Sequence, residues 1–190
     1  MFLRTMRKYP LARSYTYVNA DILMDITGFV ATVNTVQNVD EFLMVGRRTN
    51  VAWTEEMTVG DESFDFDYHF VSGELFQVSA EDYFTVSSGA IDWQNFPDVV
   101  VGRIGYDNML VDHVFHKKGV SLIDVTRTVR AIHQTDREGV YSGRTRSMDE
   151  EDRMWNMQFG LHHDHGFTTH ADMITVHCDG GSVCLRHSQT

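Results

Sequence analysis

Tyr15-Thr-Tyr-Val-Asn-Ala-Asp-Ile-Leu-Met24 is an apolar, strand-like run with an Asn and an Asp set two apart in its middle. Side chains two apart on a strand point to the same face, so this reading projects the Asn19 amide and the Asp21 carboxylate together from the end of a buried strand. Hard oxygen ligands that converge on one point suit Mg²⁺ or Mn²⁺. Such an ion commonly carries a substrate's phosphates instead of sitting in an all-protein cage. Locally the pair has a plainer reading as well: Asp21 caps a turn and Asn19 satisfies backbone groups at the strand end.

Upstream, Met1-Phe-Leu-Arg-Thr-Met-Arg-Lys-Tyr-Pro10 reads as the end of an amphipathic helix stopped by Pro10. A helix that leads straight into a central strand belongs to a βαβ crossover, and no strand precedes it, so the expectation is a chain that begins inside a domain. Downstream, Asp25 or Thr27 caps a helix over about 28–38, with Phe29, Val30, Val33 and Val36 on its apolar face. A buried strand over 41–47 completes one α/β unit. A strand follows over 50–54, then an acidic stretch, 55–67, that reads as a solvated loop. The pattern next predicts a short helix over 74–82 and a strand over 83–88. Residues 92–102 mix a turn with a buried apolar run, and a helix opens near Tyr106-Asp107 and ends by Gly119. Two strands follow, over 120–125 and 128–133. From 136 onward arginines and carboxylates interleave with little apolar periodicity, until 171–177 and 182–186 form a hairpin through Asp179-Gly-Gly181. This gives a core over 1–135 and a loop-rich C-terminal extension over 136–190, part of the same domain.

The 190 residues are 42% hydrophobic and 12% aromatic with two prolines, which is the composition of a globular domain or of part of a larger one. A net charge of -11 without a Lys/Arg stripe argues against a nucleic-acid partner. No run reaches the roughly 18–20 apolar residues of a membrane-spanning helix, and the N-terminus lacks a signal-peptide core. A complete chain of this kind is expected in the cytoplasm. Cys178 and Cys184 read equally as the bridge of a hairpin or as two thiols.

Three further stretches carry chemistry-bearing residues. In Gly102-Arg-Ile-Gly-Tyr-Asp-Asn108 a glycine turn delivers Asp107 and Asn108 to a helix start, where Asp107 serves either as a general base for a hydroxyl or as the helix N-cap. His133, at the end of a short apolar strand, is either a satisfied structural residue or a ligand. The run Gly160-Leu-His-His-Asp-His-Gly166, with His170 beyond it, is a polar loop or an opportunistic Zn²⁺ site. It lacks the H-E-x-x-H pattern and a finger-spaced cysteine set. His113 and His116, three apart on the expected helix, carry the same two readings. No GxSxG elbow, GxxxxGK[ST] loop or GxGxxG fingerprint is present.

Taken in order, Tyr17-Val-Asn-Ala-Asp-Ile22, Gly46-Arg-Arg48, Asp82-Tyr-Phe84, Gly102-Arg-Ile-Gly-Tyr-Asp-Asn108 and Ala131-Ile-His-Gln134 resemble the nucleotide-diphospho-sugar transferase, or GT-A-type glycosyltransferase-like, family. The resemblance spans about 15–134, with a looser echo in the tail. It implies an α/β fold, a mixed sheet flanked by helices, and a hexosyltransferase-like reaction between a nucleotide-sugar donor and an unknown acceptor hydroxyl. The family's DxD-type motif binds the divalent metal that grips the donor diphosphate, which implies Mn²⁺ or Mg²⁺ on Asp21 and Asn19. An Asn stands here where the family has its first acidic residue. The same resemblance makes His133 the completing metal ligand, and it places Gly102, Arg103, Gly105 and Asn108 at the substrates. If the reaction inverts, the resemblance makes Asp107 its base; inversion and retention both stay open. In the family a nucleotide-binding half precedes the DxD-like strand, whereas only residues 1–14 precede it here. The implied unit is therefore the C-terminal portion of a GT-A domain. Two readings from other classes stand beside it: a non-catalytic, truncated or degenerate transferase-fold module, and a His-rich metal-binding protein centred on residues 162–170.

Overall fold

The computed structural model describes residues 1–52, 64–103, 105–135, 150–159 and 166–188. Helix α1 (Phe2–Lys8) leads into β1 (Ser14–Val18), and the chain turns through residues 19–21 into β2 (Ile22–Met24). Helix α2 (Ile26–Val36) follows, capped by Asp25, whose carboxylate accepts the Thr27 and Gly28 N–H groups at 3.1 and 3.2 Å. Strands β3 (Phe42–Arg47) and β4 (Thr49–Ala52) are separated by Arg48 alone. Then come α3 (Phe66–Ser72), β5 (Glu74–Leu75), β6 (Glu81–Ser87), α4 (Tyr106–Phe115), β7 (Ser121–Asp124), β8 (Ala131–Thr135) and α5 (Glu150–Met157). The hairpin β9 (Met173–His177) and β10 (Val183–His187) closes the described chain.

The protein is α/β, with mixed sheets flanked by helices. The larger sheet has the order β1-β6-β3-β7-β9-β10, in which β3, β7 and β9 run parallel and β1 and β6 form antiparallel pairs on one side. The smaller sheet has the order β2-β8-β4-β5. β3 explains the central position it holds, because every residue from Phe42 to Gly46 is buried and both faces are covered. Leu43 and Val45 face a core built with Phe2 of α1, Phe84 and Val86 of β6, and Tyr106, Leu110 and Val114 of α4. Phe42 and Met44 face a second core with Val36 of α2, Tyr83, Ile123 and Val129. The strand bulges after Val45, where Gly46 gives its missing side-chain space to the Tyr83 ring: a Cβ there would lie 1.9 Å from the phenol oxygen.

Several sequence expectations change. The run from Tyr15 to Met24 is two strands in different sheets. The Asn19 N–H bonds the Asp82 carbonyl at 2.9 Å and the Ile22 N–H returns to the Asn19 carbonyl at 3.2 Å, which turns the chain out of the larger sheet. Asn19 and Asp21 therefore do not share a strand face. The helix expected over 74–82 is absent. Its place is taken by the two-residue β5 and the start of β6, and the helix lies earlier, over Phe66–Ser72, with Asp65 as its cap at 3.0 Å from the Tyr68 N–H. Residues 92–102 hold turns, and the apolar run expected to be buried there is not: Val99 and Val100 are half-buried and Val101 is exposed. Cys178 and Cys184 are bonded across the β9–β10 hairpin. Part of the acidic stretch, residues 53–63, lies outside the described residues, as do 136–149 and the His162, His163 and His165 run. No helix among the described residues is long and apolar enough to cross a membrane.

Candidate active site at the crossing between the sheets

Three segments cross from the larger sheet to the smaller one, and polar side chains gather where they do so. β1 passes to β2 through residues 19–21, β3 passes to β4 through Arg48, and β7 passes to β8 through residues 125–130. β6 starts at the same edge with Glu81-Asp82. The edge is formed by the C-terminal ends of β1, β3 and β7, the side of an open α/β sheet where ligands bind.

Asp82 and Arg48 form a buried ion pair there, with side-chain exposures of 11% and 9%. Arg48 also donates from Nε to the Asn50 side-chain oxygen at 3.0 Å and stacks its guanidinium 4.4 Å above the Phe76 ring. The second Asp82 oxygen accepts the Asn19 amide at 2.9 Å, while the Tyr17 hydroxyl donates to Asn19 Oδ1 at 2.5 Å. Asn19 thus bridges Tyr17 and Asp82 and fixes the carboxylate that Arg48 neutralises.

Asp21 and His133 meet from 112 positions apart: Asp21 Oδ2 lies 3.2 Å from His133 Nε2. β8 presents the imidazole from mid-strand, between Ile22 of β2 and Asn50 of β4, so His133 is not at the strand end that its sequence suggests. The ring is buried, with Nδ1 unpartnered among the described residues, whereas the Asp21 side chain is 55% exposed. The hydrogen bond from His133 holds the Asp21 carboxyl below the usual carboxylate range, against the opposing effect of its partial burial.

Asp107 reaches the same edge from the first turn of α4. Gly105, at φ 89°, occupies the N-cap position, so Asp107 is not the cap that the local sequence allows. Desolvation pushes its carboxyl up to about 6; the backbone N–H groups of Asn108 and Glu81 pull the other way, and the nearby Asp82 adds to the rise. Tyr17 registers the convergence from the centre: burial raises its phenol, and Asp82, Asp21 and Asp107 each raise it further.

The remaining sequence candidates have other work. Asn108 donates to the carbonyls of Ser79 and Gly166 at 3.1 and 2.9 Å, which pins residue 166 against α4 so closely that a Cβ on Gly166 would lie 2.3 Å from the Asn108 carbonyl. Arg103 pairs with Asp152 of α5 at 2.9 Å, and Gly102 sits in an open turn at φ 72°. Among the described residues, none of these three makes a hydrogen bond or ion pair with Asp21 or His133. His116 pairs with Asp112 one helical turn earlier at 3.3 Å, and burial lowers the His113 imidazole. Arg48, Asp82 and Glu81 are the residues that sequence reasoning gave no role. Their signal was an acidic pair directly preceding five buried positions in β6, with an arginine alone between β3 and β4.

A separate cleft of about 520 Å³ lies beside α3, lined by Met24, Asp25, Phe64, Asp65, Phe66, Asp67 and Arg130. Its cation is committed, since Arg130 pairs with Asp25 at 2.8 Å and with Asp67.

Among the described residues no group of three or more His, Cys, Asp or Glu side chains is placed to hold a metal ion. The Asp21–His133 pair supplies one carboxylate and one imidazole, which fits an ion that completes its shell with water and phosphate oxygens and does not fit an all-protein cage. Comparisons with family models, with curated proteins and with solved structures found no match to this chain.

Proposed function

We propose that the chain is a GT-A-like glycosyltransferase that moves a sugar from a nucleotide donor to an acceptor hydroxyl with the help of Mn²⁺ or Mg²⁺. The observation that carries this reading is the approach of Asp21 to His133, 3.2 Å apart, at the sheet edge that also holds the desolvated Asp107. A divalent ion on that pair supplies positive charge for a leaving diphosphate. Asp21 offers it an exposed carboxylate, and the rigid β8 strand aims His133 at the same point. Asn19 contributes by holding Asp82 and Tyr17 in register. Asp107 accepts the proton of the acceptor hydroxyl, since a carboxyl near 6 is ionised at neutral pH and still basic enough to take a proton.

The test is product formation from UDP- and GDP-sugars with Mn²⁺ across a set of acceptor alcohols and glycans. Wild-type protein is expected to release nucleoside diphosphate, and Asp107→Asn to lose transfer by at least about a hundredfold while still binding donor. Unchanged turnover in Asp107→Asn contradicts the assignment of the base.

One observation favours a second reading, a non-catalytic module of the same fold. Asn19 and Asp82 already have both of their side-chain polar atoms engaged within the protein. Failure of every sugar nucleotide to bind supports that reading over the first.

A further inference from the structure

We propose that Glu81 and Asp107 work as one coupled carboxyl pair that holds a single proton at neutral pH, with the charge on Asp107 and the proton on Glu81.

The geometry of Glu81 is that of a neutral acid. It opens β6 with 2% of its surface exposed, its Oε1 has no partner among the described residues, and its Oε2 has the Asn108 amide at a long 3.5 Å, with weak help from backbone N–H groups of Glu81 and Thr168. An ionised carboxylate buried with so little compensation is costly, whereas a protonated one loses much less by burial. The nearest cations are committed elsewhere. Arg47, its cross-strand neighbour, donates from Nε to the Phe76 carbonyl at 2.6 Å, and Arg48 is held by Asp82 and Asn50.

The groups that face the pair are Asp82 from β6, Tyr17 from β1 and Tyr106 from α4. The segment following Gly166 contributes the Thr168 backbone N–H, while His170 turns its Nδ1 to the Phe167 N–H at 3.2 Å. Burial, Asp107 and Asp82 all raise the Glu81 carboxyl well above the ordinary range. The Asp107 carboxylate has the backbone N–H groups of Asn108 and Glu81 to hold its charge while Glu81 Oε1 has no partner among the described residues, so Asp107 ionises first and its charge then keeps Glu81 protonated.

The consequence for chemistry rests on the transferase reading. The acceptor O–H bond breaks as its proton passes to the Asp107 carboxylate. The oxygen forms a bond to the anomeric carbon while the bond to the diphosphate breaks, and the diphosphate leaves with that electron pair. Asp107 then returns its proton to water. Glu81 is a positioning residue: by staying neutral it keeps a second negative charge from the acceptor while tuning the basicity of Asp107.

The experiment is a pH titration of side-chain carboxyl resonances in the full chain labelled with ¹³C at Asp and Glu. The wild type is expected to show Asp107 titrating near 6 and Glu81 above it, raised well over the ordinary glutamate range. Glu81→Gln should remove the upper step and leave the lower, and Asp107→Asn should move the Glu81 midpoint down by about one pH unit or more. A Glu81 carboxyl that ionises with exposed glutamates, at about 4 to 5, overturns the pair. So does a Glu81 midpoint unmoved by Asp107→Asn. The wild-type titration decides the matter even if neither variant folds. Under the transferase reading the rate also falls at alkaline pH as Glu81 ionises, and folded Glu81→Gln loses that limb. A titration that follows expectation without transfer from any sugar nucleotide upholds the pair and removes the transferase; transfer with Glu81 charged at neutral pH does the reverse.

Discussion

Arg48 and Asp82 sit at the residue-level centre of the edge, and their pairing has a measurable price. Removing one partner of a buried ion pair strands the other charge, so Arg48→Ala is expected to lose about 3–5 kcal/mol in urea unfolding. A loss within about 1 kcal/mol would assign the pair the minor weight of a surface bridge. Asp107 ties stability to pH in a direction fixed by its raised carboxyl. Below its ordinary value of 3.8 both folded and unfolded chains hold the proton; between there and about 6 only the folded chain does, so its contribution to stability falls as pH rises. Asp107→Asn should flatten the stability curve across that window. The gain over wild type at pH 7 has an upper bound of about 3 kcal/mol, lowered by solvent screening because Asp107 is half-buried. Equal pH dependence in both proteins contradicts the desolvated placement of Asp107. At this scale sequence reading reached Asp21, His133 and Asp107, because each is a reactive residue type inside a strand-like or turn-like context. It could not reach Arg48–Asp82, since that pairing spans 34 positions and exists only after β3 and β6 align.

Among the elements, a chain of buried hydroxyls fastens α2 to the sheet. Thr32 of α2 donates to Thr128 at 2.9 Å, and Thr128 lies 2.6 Å from Thr175 of β9. Thr128→Val keeps the shape and removes the middle link, and is expected to cost about 1–3 kcal/mol in thermal or chemical unfolding. A neutral result would show that Thr32 and Thr175 find other partners. The β9–β10 disulfide closes a short loop at a sheet edge, so Cys178→Ser with Cys184→Ser should lower stability by about 2 kcal/mol, with amide exchange quickening first in β10. Elements were legible where one periodicity held throughout: the apolar run of β3, the Asp25-capped α2 and the glycine-flanked α4. They were misread where chemistry broke the period. Glu81-Asp82 looks like a polar helix end, yet both residues are buried because β6 starts inside the site. Asn19 and Asp21 look like neighbours on one strand face, yet both lie in the turn that carries the chain from one sheet to the other.

For the molecule as a whole, the site is a product of topology. Among the described residues three segments pass from the larger sheet to the smaller, and these crossings bring residues 19–21, 48, 81–82, 107 and 133 to one edge of a chain whose net charge is -11. On the proposed transferase reading, a phosphate-bearing donor would meet unfavourable field over most of such a surface, and a divalent ion at Asp21 and His133 would reverse it locally. Donor binding should therefore depend on metal more steeply than on any single polar contact. The decisive measurement is calorimetric titration of the full chain with UDP- and GDP-sugars, with and without Mn²⁺. The account predicts binding only with Mn²⁺, lost in Asp21→Ala and in His133→Ala while both variants keep the wild-type circular dichroism spectrum. Binding that is indifferent to Mn²⁺ and to both substitutions, or no binding of any sugar nucleotide, contradicts it.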